Sequence, residues 1–506
     1  MAGTTRMRHR ARGVGALRRP GGRRRVAGLA LALAFGLTAL ACSGPGPGPG
    51  GGHGPRGSDK GPVAPLGSAG RWVTDDRGRV VLLHGVNEVA KSAPYLSSAA
   101  GVGADDAAFL ADEGFNVVRL GVDFRGLMPE PGQVRQDYID DLVGTIDQLA
   151  AERIFVLVDF HQDGFAPKYN GNGLPDWMAI DDGLPNPPDA VFPLYYVQNP
   201  AMQRAFESFW ANRPGPDGVG VQDHYVDGVA AVAERVADEP YVMGYDLMNE
   251  PFPGANWNPC VADATGCASL EQQWLAPFHA KATAAVAAVA PQPVFVEPFV
   301  LFNFGQVTTS LPGAGTGNGL SFHSYAIDVA GEEAVVANAV AAAERDGAPL
   351  LATEFGATTD PVMLTRLVGQ LDGARVPWMM WDYGTLVADR SRPAGRDNLT
   401  SEAALDALVR PYPTAITGTP TAMAFDPASN TFDLAYDTTG PDGQRYRHDL
   451  ATVVSIPDAR YPDGYAVEVT GASVTSRPCA DRLTLRTRPQ ATTVTLRVVP
   501  GSCAGR

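Results

Sequence analysis

Short apolar runs that end on polar or aromatic residues recur through the middle of the chain. They are "RVVLLHGVN" (79–87), "FNVVRLGV" (115–122), "IFVLVDFHQD" (154–163), "YVMGYDLMNE" (241–250), "PVFVEP" (293–298), "GLSFHSY" (319–325), "PLLATEFG" (349–356) and "VPWMMWDYG" (376–384). Runs of this length and composition predict strands buried on both faces. Between them lie stretches with apolar residues at helical spacing, such as "DYIDDLVGTIDQLAAE", "DHYVDGVAAVAERVADE" and "AVVANAVAAAERDG". Eight strands alternating with helices predict parallel pairing and an α/β chain closed into a (β/α)₈ TIM barrel, assigned to 67–410. A doubly wound open sheet is the rival, but no Gly-rich phosphate turn follows the first strand. From Pro411 the period changes to two, in "AMAFDPASNTFDLAYDT" and "RLTLRTRPQATTVTLRVVP". That pattern predicts a small antiparallel β-sandwich over 411–506.

The first residues follow another logic. Nine arginines and no acid precede Cys42, and "VAGLALALAFGLTALA" (26–41) follows the last of them. A basic n-region, a short apolar h-region and small residues before a cleavage point predict an export signal over 1–41. Two processing routes remain open: "ALAC" is a loose lipoprotein box that would make Cys42 the lipidated first residue, and Ala39-Leu40-Ala41 is an A-x-A site for free secretion. Arg24-Arg25 also permits a twin-arginine signal. The Gly/Pro-rich stretch from Cys42 to Leu66 reads as a tether. Five cysteines make an odd set. With Cys42 set aside, Cys260 with Cys267 and Cys479 with Cys503 are the sequence-local disulfide candidates, which suits an oxidising compartment. Without the signal's nine arginines the formal net charge of −15 becomes nine units more negative. An acidic body of this kind argues against nucleic acid and anionic lipid surfaces as partners.

A barrel should place its chemistry at the C-terminal ends of its strands. Those ends collect Asn87, Arg119, His161 with Asp163, Asn249 with Glu250, Glu297, His323 with Tyr325, Glu354, and Trp381 with Asp382. Glu250 closes the fourth run and Glu354 the seventh, so two carboxylates face each other across the mouth. Such a pair suits glycoside hydrolysis. Glu250, among apolar strand residues, is expected to have a raised pKa and to act as acid and then base. Glu354 is expected to stay ionised as nucleophile, assisted by Tyr325 and Arg119. Asn249 is placed to meet a sugar 2-hydroxyl, and Trp381 and Trp177 offer flat faces for sugar rings. His161, Asp163 and His323 suggest a metal, but there is no HExxH and no cysteine pair near them, so none is expected. No GxSxG elbow supports serine chemistry. No cofactor is expected.

The strand-end set, with "YDLMNEPFPG" and "ATEFG", resembles glycoside hydrolase family 5. The longer stretches "LHGVNEVAKSAPY", "VDFHQDGFAPKYNGNGLPDWM", "QNPAMQRAFESFW" and "GVQDHYVDGVAAVAERVADEPYVMGYDLMNEPFPG" resemble the endoglycoceramidases of that family, from about Trp72 to the C-terminus. The resemblance implies a retaining glycosidase, acting through a glycosyl-enzyme intermediate, that frees an intact oligosaccharide from ceramide in glycosphingolipids. Glu250 would be its acid/base and Glu354 its nucleophile. Lys91, His161, Asp163, Asn249, Tyr325 and Trp381 would line the sugar side, with Trp177 stacking on a sugar. One departure is "VDFRG", with Asp123-Phe124 where a tryptophan is expected. The substrate would be reached at a membrane or micelle surface, by a monomer that is extracellular or lipid-anchored to the outer face of the membrane.

Two long insertions, 164–239 with "VFPLYYV" and "FESFW" and 254–275 with Trp257, either form a groove for acyl chains or pack as a lid. The sandwich is either a packing or membrane-approach module or a carbohydrate-binding one. Two alternative functions stay open: a family 5 β-glucanase or β-glucosidase indifferent to ceramide, and a surface lipoprotein that binds glycans without turnover.

Overall fold

The computed structural model describes residues 60–503 apart from 191, 263–265, 310, 311 and 314. The export signal, Cys42 and the tether as far as residue 59 lie outside the described residues. A hairpin of β1 (Gly67–Ala69) and β2 (Trp72–Thr74) turns on Gly70, whose φ of 56° lies in the left-handed region that glycine adopts without strain. Eight parallel strands follow: β3 (His84–Glu88), β4 (Val117–Val122), β5 (Phe155–Phe160), β6 (Val242–Asp246), β7 (Val294–Val296), β8 (Gly319–Ser324), β9 (Leu350–Phe355) and β10 (Trp378–Met380). They close in the order β10-β3-β4-β5-β6-β7-β8-β9. Each of the eight apolar runs supplies one strand.

The hairpin and the segment before it plug the barrel floor. Leu66 and Val73 share a buried cluster with Leu83, Val117, Phe155, Met243, Phe295, Leu351 and Met379. The tether assigned to 42–66 is therefore corrected at its end. Leu66 is buried, and the carbonyls of Gly61 and Pro62 accept from Arg79 Nη2 at 2.7 Å and Arg153 Nη2 at 3.0 Å. Gly/Pro composition hid one apolar side chain and two carbonyl acceptors whose partners lie on other elements.

The C-terminal part forms two four-stranded antiparallel sheets from β11 (Tyr412–Ala415), β12 (Thr419–Asp426), β13 (Thr431–Asp437), β14 (Thr452–Ser455), β15 (Tyr465–Thr470), β16 (Ala472–Val474), β17 (Arg482–Thr487) and β18 (Thr493–Pro500). Their orders are β11-β14-β17-β16 and β12-β13-β18-β15. Alternate residues of β13 and β18 (Phe432, Leu434, Tyr436; Val494, Leu496, Val498) fill one core, which is what a period of two delivers. The barrel joins this sandwich through buried contacts. The His84 ring is stacked between Trp378 (4.2 Å) and Tyr412 (3.7 Å), and its Nε2 lies 3.2 Å from Asp372, which also accepts from Arg410. Cys260–Cys267 and Cys479–Cys503 are bridged, with Cα atoms 4.7 and 6.1 Å apart, as proximity in sequence predicts.

The long insertion after β5 divides in two. Its "FESFW" half, on the helix Pro200–Trp210, is buried: Phe206, Phe209 and Trp210 meet Phe165, Phe252 and Phe278 edge-on. Its other half buries Tyr195 and Tyr196 but leaves Phe192 and Leu194 62% and 51% exposed. The first half packs as a lid does, and the second presents apolar side chains to solvent.

Candidate active site

Arg119, on β4, is the hub of the barrel mouth. Its side chain is fully buried and its planar fork reaches six partners. Nε donates to Asp246 (3.0 Å); Nη1 donates to Asn87 (3.1 Å) and Glu354 (2.7 Å); Nη2 donates to Asn249 (2.9 Å) and Glu297 (3.1 Å) and lies 2.8 Å from Asp159. A cation with no access to water is tolerated because these acceptors replace its hydration. The partners lie on β3, β5, β6 and β9, in the turn after β6 and directly after β7, so one side chain sets the relative positions of most of the rim.

Glu250 is aimed by its backbone. Its φ is 44°, in the left-handed region, where a non-glycine residue costs about 1–3 kcal/mol. Its amide offsets that cost by donating to Glu297 Oε2 (2.9 Å), and its carbonyl accepts from Gln162 Nε2 (3.0 Å). The carboxylate Oε1 then accepts from Asn303 Nδ2 (2.7 Å) and His323 Nδ1 (2.9 Å). Glu354, at the end of β9, has both oxygens occupied, Oε1 by Arg119 and Oε2 by the Tyr325 hydroxyl at 3.0 Å. Burial holds the Tyr325 phenol well above its ordinary pKa, so it remains a donor.

His323 joins the two glutamates. Its Nδ1 is also 3.6 Å from Glu354 Oε2, and its Nε2 is 3.1 Å from Glu297. Burial alone would lower its pKa, but the surrounding Glu297 and Glu354 and the hydrogen bond with Glu250 raise it well above the usual value, so the ring is an imidazolium. One atom each of Glu250, His323 and Glu354 lie within 4.8 Å of one another. So near an approach of one oxygen from each carboxylate fits the shorter separation of retaining glycosidases, roughly 5–5.5 Å between carboxyl groups, better than the roughly 6.5–9.5 Å that leaves room for a water. The same three atoms are near enough to hold a metal ion, but they are engaged with each other and with Asn303 and Tyr325, and the imidazolium and Arg119 would repel a cation.

Burial raises the pKa of Glu354 and the neighbouring Glu250 adds to the push, while His323 and Arg119 oppose it. This corrects the expectation that Glu354 simply stays ionised, since desolvation pushes the nucleophile's own carboxyl up. The ionised form of Glu354 is favoured by its two donors, not by a wetter setting.

The sugar-side residues fall into two groups. Lys91 Nζ pairs with Asp163 at 2.5 Å and lies 4.4 Å over the Trp381 ring, and both Lys91 and Trp381 reach solvent. His161 lies beneath, stacked on Trp381 at 5.0 Å, with both nitrogens taken: Nδ1 by Asp159 (2.8 Å) and Nε2 by Asp163 (3.2 Å). Burial would lower its pKa, but Asp163 and Asp159 push it up to about 9. It orients Trp381 and Asp163 and has no nitrogen left for a sugar. Asn249 Oδ1 is held by Arg119 and its Nδ2 donates to the Gln162 carbonyl (2.9 Å), which leaves one N–H for a hydroxyl.

Trp177 does not join this set. Its Nε1 donates to the Met128 carbonyl (3.3 Å) and its ring meets His224 edge-on at 5.2 Å, because the insertion folds it back towards the helix Val221–Arg235. The "VDFRG" segment supplies no aromatic face either. Phe124 is buried and stacked on Tyr225 (4.3 Å), while Asp123 caps a short turn and pairs with Arg125. Asn303, Gln162, Asp159 and Asp246 are functional neighbours beyond the strand-end reading. The two aspartates had a signal, an acid inside an apolar strand. Asn303 and Gln162 sit in loops whose approach is decided by tertiary structure.

Residues 83–386 match the family described as cellulase (glycosyl hydrolase family 5), and residues 410–498 match the glycoside hydrolase family 5 C-terminal domain. The chain is 35% identical over 450 residues to Endoglycoceramidase I of Rhodococcus hoagii, covering 84% of this chain and 86% of that protein. Among solved structures it is similar to endo-glycoceramidase II from Rhodococcus sp. as a lactosyl-enzyme intermediate, with a TM-score of 0.69 and 28% identity, covering 85% of this chain and 99% of the other. The same enzyme in complex with ganglioside GM3 superposes with a TM-score of 0.67 at 26% identity, over 85% of this chain and 99% of the other. The match over both the barrel and the sandwich, with a relative alike over most of its length, places the chain in glycosyl hydrolase family 5, as an enzyme that hydrolyses O-glycosyl bonds.

Proposed function

We propose that the protein cleaves the β-glycosidic bond between oligosaccharide and ceramide in glycosphingolipids, with retention at the anomeric carbon. The observation that carries the mechanism is the Glu250–His323–Glu354 cluster, one atom of each lying within 4.8 Å of the others. Glu354, aligned by Arg119 and Tyr325, attacks the anomeric carbon, and the C–O bond to ceramide breaks as Glu250 gives its proton to the departing oxygen. Water, deprotonated by Glu250, then displaces Glu354 and releases the oligosaccharide.

The ceramide reading is supported by the names of the relatives and by where apolar surface is exposed. Among the described residues, twelve large hydrophobic side chains are exposed, and all but Val474 lie on connections that leave the C-terminal ends of barrel strands. Phe192 and Leu194 follow β5, Val261 follows β6, Phe304 follows β7 and Ile327, 96% exposed, follows β8. An enzyme that draws its substrate from a bilayer or micelle has a use for apolar tips on that face, and a soluble-glucan hydrolase does not.

Export is part of the same proposal, with Cys42 the lipid-bearing residue. Its support is the basic and apolar N-terminal sequence and the pairing of the other four cysteines with each other. Action as a monomer belongs to the same proposal. The test is incubation of signal-free protein with a ganglioside in detergent, beside Glu354→Gln, with products resolved by mass spectrometry. Intact glycan plus ceramide, absent in the variant, is expected. An untouched ganglioside beside cleavage of an aryl β-glucoside or a β-glucan would leave the glycosidase and remove the ceramide assignment.

A further inference from the structure

The connection after β7 carries Asn303 in a 3₁₀ turn, Val300–Phe304. The residue is 4% exposed and donates Nδ2–H to Glu250 Oε1 at 2.7 Å. Its turn is tied to both sides of the acid/base pair. The Val300 amide donates to the Pro251 carbonyl (2.9 Å), directly after Glu250, and the Asn303 carbonyl accepts from the Tyr325 amide (3.1 Å), directly beyond β8. Phe302 packs edge-on against Phe322 of β8 at 6.2 Å, and Gly305 ends the turn at a φ of 99°.

His323 Nδ1 donates to the same oxygen at 2.9 Å. Oε1 therefore receives two N–H donors, while Oε2 receives none among the described residues. An oxygen with two lone pairs already bonded to donors has no place for a proton.

We infer that Asn303 is a positioning residue of the reaction: with His323 it confines the Glu250 proton to Oε2 and so aims it at the departing oxygen. The inference rests on the reading of Glu250 as acid/base given above. Without the Asn303 amide one lone pair of Oε1 is open, the proton is shared between two oxygens, and the carboxyl is free to turn about its last torsion. Proton delivery is impaired while attack by Glu354 is not, since no partner of Glu354 changes.

This separates Asn303 from a residue that merely holds the loop. The experiment measures kcat/KM for the parent, Asn303→Leu, Asn303→Ser and Glu250→Gln on two β-lactosides. Dinitrophenolate leaves without a proton; an alkyl alcohol does not. Asn303→Leu is expected to lose roughly tenfold to hundredfold on the alkyl lactoside, the kinetic equivalent of one charge-assisted hydrogen bond, and less than about twofold on the dinitrophenyl lactoside. Asn303→Ser, which keeps a short donor, falls between. The dinitrophenyl rate of each sample reports its folded fraction. Equal losses on both substrates in both Asn303 variants overturn the inference and leave Asn303 a loop support. A Glu250→Gln protein that shows no leaving-group selectivity removes the acid/base reading itself, and the inference with it; that failure is read in a different protein from the first.

Discussion

Replacing Arg119 by lysine keeps the charge and removes the fork. The guanidinium donates five N–H groups, to Asp246, Asn87, Glu354, Asn249 and Glu297, with Asp159 beside it, while an ammonium has three N–H groups on a flexible stem. Two hydrogen-bonded acceptors are then left unserved in a fully buried site. At about 1.5–3 kcal/mol for each charge-assisted hydrogen bond, the loss sums to roughly 3–6 kcal/mol. Protonation of Asp246, which burial already pushes well above the usual carboxylate range, offsets part of it. A whole domain is stable by about 5–15 kcal/mol, so Arg119→Lys is expected to fall to much lower denaturant midpoints or fail to accumulate. Any folded fraction is expected to lose activity as well, because Glu354 has lost its 2.7 Å partner. The assay is guanidinium denaturation beside kcat/KM on an aryl glycoside. The same exchange at Arg447, 83% exposed and paired with Asp449, is the control and should stay within about 0.5 kcal/mol. An Arg119→Lys protein with the parent's midpoint and a kcat/KM within about twofold would refute the hub argument.

The raised His161 pKa links stability to pH. A shift from 6.5 to about 9 is worth about 3 kcal/mol, fully present below pH 6.5 and lost as pH rises through 9. The stability gap between the parent and His161→Gln should therefore narrow by about that amount between pH 6 and 10, and a gap flat in pH would contradict the assignment. Phe304→Ser removes an exposed ring on the connection after β7 and should slow a ceramide-linked substrate by roughly tenfold, the transfer value of a buried Phe, while sparing an aryl glycoside; equal rates on both would sink the role of the rim in substrate choice. Reduction should add two hydrogens to the intact mass for each of the bridges Cys260–Cys267 and Cys479–Cys503, and an unchanged mass would dismiss them.

What the sequence made legible is what depends on period and position along a strand. Buried parallel strands read as unbroken apolar runs, so all eight were visible, and a polar residue closing such a run, as Glu250 and Glu354 do, stands out because its burial needs a reason. Alternation exposed the sandwich for the same cause. Contacts made by return loops were not legible. Asn303 reaches Glu250 across 53 residues from a turn with no periodicity of its own. The direction of Trp177 was not legible because an aromatic in a long insertion has no strand to fix it, and the insertion turns it to Met128 and His224. Leu66 looked like tether because composition averaged it with its glycine and proline neighbours. The two glutamates were legible as a pair at the strand ends, but the desolvation of Glu354 follows from its burial in the folded barrel, which no local pattern records.

The central claim is that Glu354 forms a covalent bond to the sugar. The direct measurement is incubation with a 2-fluoro-β-glycoside bearing a good leaving group, followed by peptide mass spectrometry of the trapped protein. The account predicts one added glycosyl unit, carried by the peptide containing Glu354 and absent from Glu354→Gln. A label on the peptide of Glu250, or steady turnover with inversion and no trapped species, would contradict it.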